Sequence, residues 1–167
     1  VSWRLSQWQD TEVTVAITLA SLAADPNLLT GRQSDAFDLT GYDDIQVSGK
    51  ITTGTSPTVD RRIEIWLVGS RDGTNWPDVF GAADAARTIS SSAIKNGICK
   101  AVYGFTVSAT SSAPYEFNNI TIGRTTGILL PKKGVFFVTQ SSAVALHATA
   151  GNHWIVIRPG NPQLVKW

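Results

Sequence analysis

Apolar and polar positions alternate along much of this chain. Val13, Val15, Ile17 and Leu19 alternate with Thr14, Ala16 and Thr18, and Ile45, Val47 and Ile51 with Gln46, Ser48 and Lys50. A period of two marks a strand with one face in a core and the other toward solvent. Both runs are predicted strands. In the next run Ile63, Ile65 and Leu67 share one face and Arg62, Glu64 and Trp66 the other, which predicts a strand with a charged and aromatic outer face. Later runs at 98–107, 115–122, 135–140 and 154–157 are rich in β-branched and aromatic residues and read as further strands.

Turn-forming residues separate these runs: Asp25-Pro26-Asn27, Gly54-Thr55-Ser56-Pro57, Arg71-Asp72-Gly73-Thr74-Asn75, Pro131-Lys132-Lys133-Gly134 and Gly151-Asn152. Many strands divided by turn chemistry predict an all-β fold, an antiparallel β-sandwich of jelly-roll-like form. The one helix expected is short, around 82–86, where alanines cluster. With so little helix between strands, parallel βαβ units are not expected, which removes most nucleotide-binding and barrel-enzyme folds from consideration.

The two ends differ from the middle. Residues 1–11 place Trp3, Leu5 and Trp8 among polar residues, and residues 158–167 finish in Leu164, Val165, Lys166 and Trp167. The chain therefore divides into an N-terminal arm (1–11), a sandwich domain (12–157) and a C-terminal arm (158–167). Apolar and aromatic residues at a chain end call for a covering surface. Each arm either packs on its own sandwich or docks on a neighbouring subunit.

Length and charge narrow the function classes. A chain of 167 residues buries about 70% of the surface it exposes when unfolded, so its core needs no staple. Its 14 basic residues are scattered against 13 acidic ones, without the positive stripe that nucleic acid demands. No apolar run approaches the ~20 residues that cross a bilayer. The first fifteen positions carry charge and tryptophan instead of a secretory apolar stretch, and methionine is absent even at position 1, so an initiator was either removed or left out of the numbering. The expectation is a soluble protein that binds neither nucleic acid nor membrane. Cys99 cannot form an internal disulfide and reads as a small buried side chain.

Catalytic motifs are not found. Nucleophilic triads need a histidine, and the chain has only His147 and His153, neither near a nucleophile motif. A turn separates the pair, and no third ligand for zinc lies nearby. The glycines form no phosphate-binding loop. Asp43-Asp44 reads as a loop entering a strand. The chain is accordingly expected to be non-enzymatic, with no catalytic, cofactor or metal residues.

The most distinctive local motif is Gly69-Ser70-Arg71-Asp72-Gly73-Thr74-Asn75-Trp76-Pro77. Asp-Gly suits a tight hairpin, and a tryptophan just beyond can fold over it. The pattern resembles hairpins of discoidin-type carbohydrate-binding sandwiches and the Asp-box turns of propellers, where it is usually a structural clasp. Two other readings remain: a glycan contact through Asp72, Asn75 and Trp76, with Trp66 or Tyr42 as stacking partners, and calcium held by Asp72, Asn75 and Asp78.

Several segments taken in order resemble a family of small structural proteins in tailed-bacteriophage particles. They are Ala20-Ser21-Leu22-Ala23, the expected hairpin at Ile51-Thr52-Thr53-Gly54-Thr55-Ser56-Pro57, the Asp-Gly hairpin above, and the block from Leu130-Pro131-Lys132-Lys133-Gly134 to Ala148-Thr149-Ala150-Gly151-Asn152-His153. The resemblance implies a capsid decoration or cement protein on the outer head surface of a virion, made in the bacterial cytoplasm. Its partners would be the major capsid protein and neighbouring copies of itself, as a homo-oligomer on the particle. The interface residues would be Trp3, Leu5, Trp8, Leu164, Val165 and Trp167. The alternatives are a neck, tail or fibre component, a carbohydrate-binding module contacting host glycans, and a hydrolase sandwich.

Overall fold

A computed structural model describes residues 3–5, 8, 11–123, 129–160 and 164–166, with 3–5 and 164–166 described by their backbone. In chain order the elements begin with β1 (Trp3–Leu5), β2 (Val13–Thr14), β3 (Thr30–Gln33), β4 (Phe37–Asp38), β5 (Asp44–Thr52) and β6 (Arg62–Ser70). They continue with β7 (Ala85–Thr88), α1 (Ser92–Ile98), β8 (Cys99–Thr106), β9 (Pro114–Thr121), β10 (Lys133–Gln140), β11 (Trp154–Gly160) and β12 (Leu164–Lys166).

One sheet has the order β2-β11-β5-β9; the other runs β7-β3-β10-β6-β8, with β4 also pairing β10. All the pairings in both are antiparallel. Leaving aside β4 and β7, each step from β2 to β11 crosses to the opposite sheet except β6 to β8, which are neighbours. Eight strands interleaved between two sheets in this way make a jelly-roll sandwich.

The alternating side chains explain the layering. Ile45, Val47, Ile51, Ile155 and Ile157 face Ile63, Ile65, Leu67, Phe136 and Val138 across one apolar core. A second core lies behind the larger sheet, where Val68, Val135, Phe137 and Cys99 meet Phe80 and Ile89. It is covered by the long connection from β6 to β7 and by α1. Val135 to Gln140 are therefore all buried, as a strand covered on both faces requires. Each fully buried side chain of this size contributes roughly 1.5–3 kcal/mol.

The structure corrects several sequence expectations. The alanine-rich stretch at 82–86 is not helical: Ala85 and Ala86 open β7 and pair with Gln33 and Arg32. Helix propensity there loses to the buried Gln33 amide, which donates to the carbonyls of Gly81 and Ala83. The helix lies at α1, where the extended Ser91 caps it by accepting from Ile94 N. Only Val13–Thr14 of the first expected strand pairs as a strand; after Val15 the chain crosses toward the other sheet, where Ala16 O accepts from Asp35 N.

Neither expected hairpin joins neighbouring strands. The 51–57 segment carries the chain from β5 to β6, which lie in different sheets, and the Asp-Gly turn opens a crossover from β6 to β7 past two intervening strands. β11 runs to Gly160, three residues beyond the boundary expected for the sandwich domain.

One close approach is sensitive to a single methyl group. A Cβ on Gly49 of β5 would lie 2.5 Å from Phe117 Cζ and 2.8 Å from the Trp154 carbonyl oxygen. Gly49→Ala should therefore destabilise the fold by about 1–3 kcal/mol, the cost of overpacking. Denaturant unfolding with an unchanged slope and a lowered midpoint checks this.

Candidate functional site

His147 and His153 come together, as clasps of one loop. His153 is buried; its Nδ1 accepts from Thr52 N at 3.3 Å and its Nε2 donates to the His147 carbonyl at 2.8 Å. His147 Nδ1 accepts from Thr149 N at 3.1 Å and from the Asn152 amide at 2.9 Å. The His153 ring thus holds the 147–153 segment on the end of β5, and the His147 ring closes that segment on itself. Burial pushes the His153 pKa down, against the opposing effect of its bond to the His147 carbonyl.

The Asp-Gly loop is closed by its own side chains. Asp72 accepts from the backbone N–H groups of Thr74 and Asn75 at 2.9 and 2.7 Å and from the Asn75 amide at 2.6 Å. Those bonds, the Asn75 N–H first, hold its carboxyl well below the usual range. Ser70 Oγ donates to the Asn75 carbonyl and accepts from Gly73 N, and Gly73 takes the positive φ of 87° that the turn needs. Trp76 is half-buried against the second core. The three residues expected at a glycan contact are adjacent, but the carboxylate serves the loop and the indole serves the core. Asp78, the third expected calcium ligand, accepts from Ser90 instead. Among the described residues no group of three or more His, Cys, Asp or Glu side chains is placed to hold a metal.

A polar cluster that periodicity did not signal lies under α1. Lys95 is 5% exposed, and its ammonium donates to Glu64 at 2.9 Å and to the Leu28 carbonyl at 2.6 Å, 4.7 Å from the centre of the Trp66 ring. Trp66 Nε1 donates to the same Glu64 oxygen at 3.1 Å. Of the outer face expected on β6, only Arg62 is exposed; Glu64 and Trp66 are half-buried. The available signal was Lys95 inside the short, serine-capped segment that precedes β8.

Cys99 is buried in the second core, and burial pushes its thiol pKa up to about 11. A groove of about 500 Å³ separates Val13–Ala16 from Asp35–Asp38 and is also lined by Tyr42, Ile157 and Pro159. Its carboxylates serve the backbone, Asp35 accepting from Asp84 N and Asp38 from Thr40 N. No described helix is long and apolar enough to cross a membrane.

The segments expected to be separate arms pair with each other. Trp3, Arg4 and Leu5 lie opposite Lys166, Val165 and Leu164 in an antiparallel two-stranded sheet. Trp8 is half-buried and bridges Gly160, where a Cβ would fall 2.5 Å from its ring, so this approach requires glycine. The bridge lies between that ribbon and the β2–β11 pairing. The backbone of Trp3, Leu5, Leu164 and Val165 is placed by the ribbon; Trp167 lies outside the described residues.

The fold and these sites define an all-β jelly-roll sandwich whose buried polar side chains secure its own loops. Comparison with protein-family models, with curated proteins and with solved structures finds no match for the chain.

Two outcomes follow from these clusters. Lys95→Met leaves Glu64 without its ammonium and should cost about 3 kcal/mol, the scale of a broken buried pair; adding Glu64→Gln should recover part of the loss in a double-mutant cycle. Because His153 is depressed below 6.5, the unfolded chain gains its proton first. Stability should be full above pH 6.5, fall as pH drops below it, and fall again below about 3.8 as Asp72 and similarly bonded carboxylates protonate. The first decline should be absent in His153→Gln when unfolding free energy is measured against pH.

Proposed function

We propose that this chain is a non-enzymatic structural subunit of a tailed-bacteriophage virion, a capsid decoration protein that joins the major capsid protein and neighbouring copies. The observation that carries this reading is the β1–β12 ribbon. A two-stranded sheet on its own is marginally stable in water and gains from a covering surface. Its outer backbone edges suit strand addition by a neighbour, and its sequence supplies Trp3, Leu5, Leu164 and Val165, residue types suited to burial at a contact.

Other features agree. The jelly roll is an architecture shared by many viral capsid and lectin domains. The two cores stiffen the sandwich, as a part repeated many times on a particle requires, and modest contacts summed over many copies can hold a shell together. The histidines and the loop carboxylates described above are engaged in structural hydrogen bonds, which favours a binding role over hydrolysis.

Quantitative mass spectrometry of purified virions tests the assignment. Hundreds of copies per particle are expected for a head protein; six to a few dozen would move it to the neck or tail, and absence from virions would overturn it. Deleting residues 1–10 should leave a cooperatively folding sandwich that no longer attaches. Attachment by that variant at wild-type occupancy would remove the ribbon as the anchor.

A further inference from the structure

The four-stranded sheet has a second face, turned away from the core. Because Ile155 and Ile157 point inward, Trp154, Val156 and Arg158 line the outer side of β11. Trp154 lies opposite Lys50 of β5, and Lys50 opposite Glu116 of β9, so an indole, an ammonium and a carboxylate stand in one row across three strands. Trp154 is 37% exposed, whereas Trp66 is covered by Lys95 and Trp76 by the second core.

Beside this row the sheet is deliberately irregular. Val47 pairs with Ile120 and Gly49 with Phe117, so Asn118 and Asn119 both oppose Ser48 in a β-bulge. Asn119 takes a left-handed φ of 54°, an uncommon conformation outside glycine. Ser48 Oγ holds the bulge, donating to Asn118 Oδ1 at 2.7 Å and accepting from Asn119 N at 3.0 Å. The Asn118 amide is thereby fixed through its oxygen while its Nδ2 hydrogens remain to donate. Bulges of this kind re-aim side chains beside binding sites. Trp154, Val156, Ser48, Asn118, Glu116 and Glu12 enclose a shallow groove of about 230 Å³.

We infer that this groove binds a neutral pyranose sugar, with Trp154 as the stacking platform. One face of a pyranose ring is made of C–H bonds and packs on an indole, while its hydroxyls radiate in the ring plane and need fixed donors and acceptors at the rim. The groove offers both. Asn118 supplies an oriented donor and Glu116 an acceptor for paired hydroxyls. The pocket is smaller than the 300 Å³ or more that drug-sized ligands occupy, which suits one ring of an oligosaccharide. Glu12, paired with Arg158 at 3.1 Å, and Glu116 line it, so the rim carries no excess of positive charge to select phosphates or acidic sugars. A protein partner would need a larger apolar surround than one indole and one valine provide. This site does not depend on where the chain resides, so its failure would leave the virion reading untouched.

Isothermal titration of the full chain with maltohexaose, cellohexaose, mannohexaose and chitohexaose, with sialyllactose as the acidic control, tests the inference. At least one neutral oligosaccharide should saturate at millimolar concentration or below. Trp154→Ala should weaken it at least tenfold at an unchanged melting temperature and Asn118→Ala several-fold in a chain that still unfolds cooperatively, while Trp76→Ala should alter stability and not affinity. If Trp154→Ala fails to fold, the loss in Asn118→Ala decides. No saturation by any neutral sugar, equal binding by the Trp154 and Asn118 variants, or tighter binding of sialyllactose would each overturn it.

Discussion

The backbone of β10 passes between two apolar masses, and both sheets are organised around that fact. Phe136 and Val138 project into the space between the sheets, Val135 and Phe137 into the space behind them. Phe136 meets Phe37 at 4.8 Å and Phe137 meets Phe80 edge-on at 5.2 Å. A strand sealed on both faces cannot leave either core without breaking the other. This couples the jelly roll to the crossover and helix that lie over its larger sheet.

Polar side chains do the complementary work of tying down connections. Gln140 donates to the carbonyls of Leu22 and Val144 and accepts from Ser142, which ties the segment after β10 to the 19–22 turn. Asp44 accepts from Gly123 N and Ile45 N. Gln33 joins the β6–β7 crossover to β3, and Lys95 fastens α1 to β6. A buried polar atom left unmatched costs about 1–3 kcal/mol, so each such group selects one loop conformation. The same logic accounts for the histidines: both nitrogens of His153 and Nδ1 of His147 are engaged, the His153 ring bracing the His147 backbone.

The strands at Ile45 to Ile51 and Ile63 to Leu67 were legible because one period of alternation maps directly to one buried face, and Val135 to Gln140, buried on both faces, was legible from its β-branched and aromatic residues. The short strands β3, β4 and β7 carried no such signal, since Thr30–Gln33 and Ala85–Thr88 contain no large apolar residue and are held by neighbours distant in sequence. The alternation at 15–19 reported burial correctly at Val15 and Leu19 but not pairing, because a chain crossing between sheets also buries its apolar side chains. The groove beside Trp154 was hidden for a related reason. Its members come from β5, β9, β11 and the approach to β2, and the bulge that assembles them appears in sequence only as two adjacent asparagines.

Cys99 has a consequence for durability. These residues include one cysteine and no methionine, so its thiol is the only sulfur in the sequence. Peroxide and related oxidants attack exposed thiolate, and this sulfur is neither exposed nor ionised at neutral pH. The folded molecule therefore offers such oxidants no ready target at sulfur.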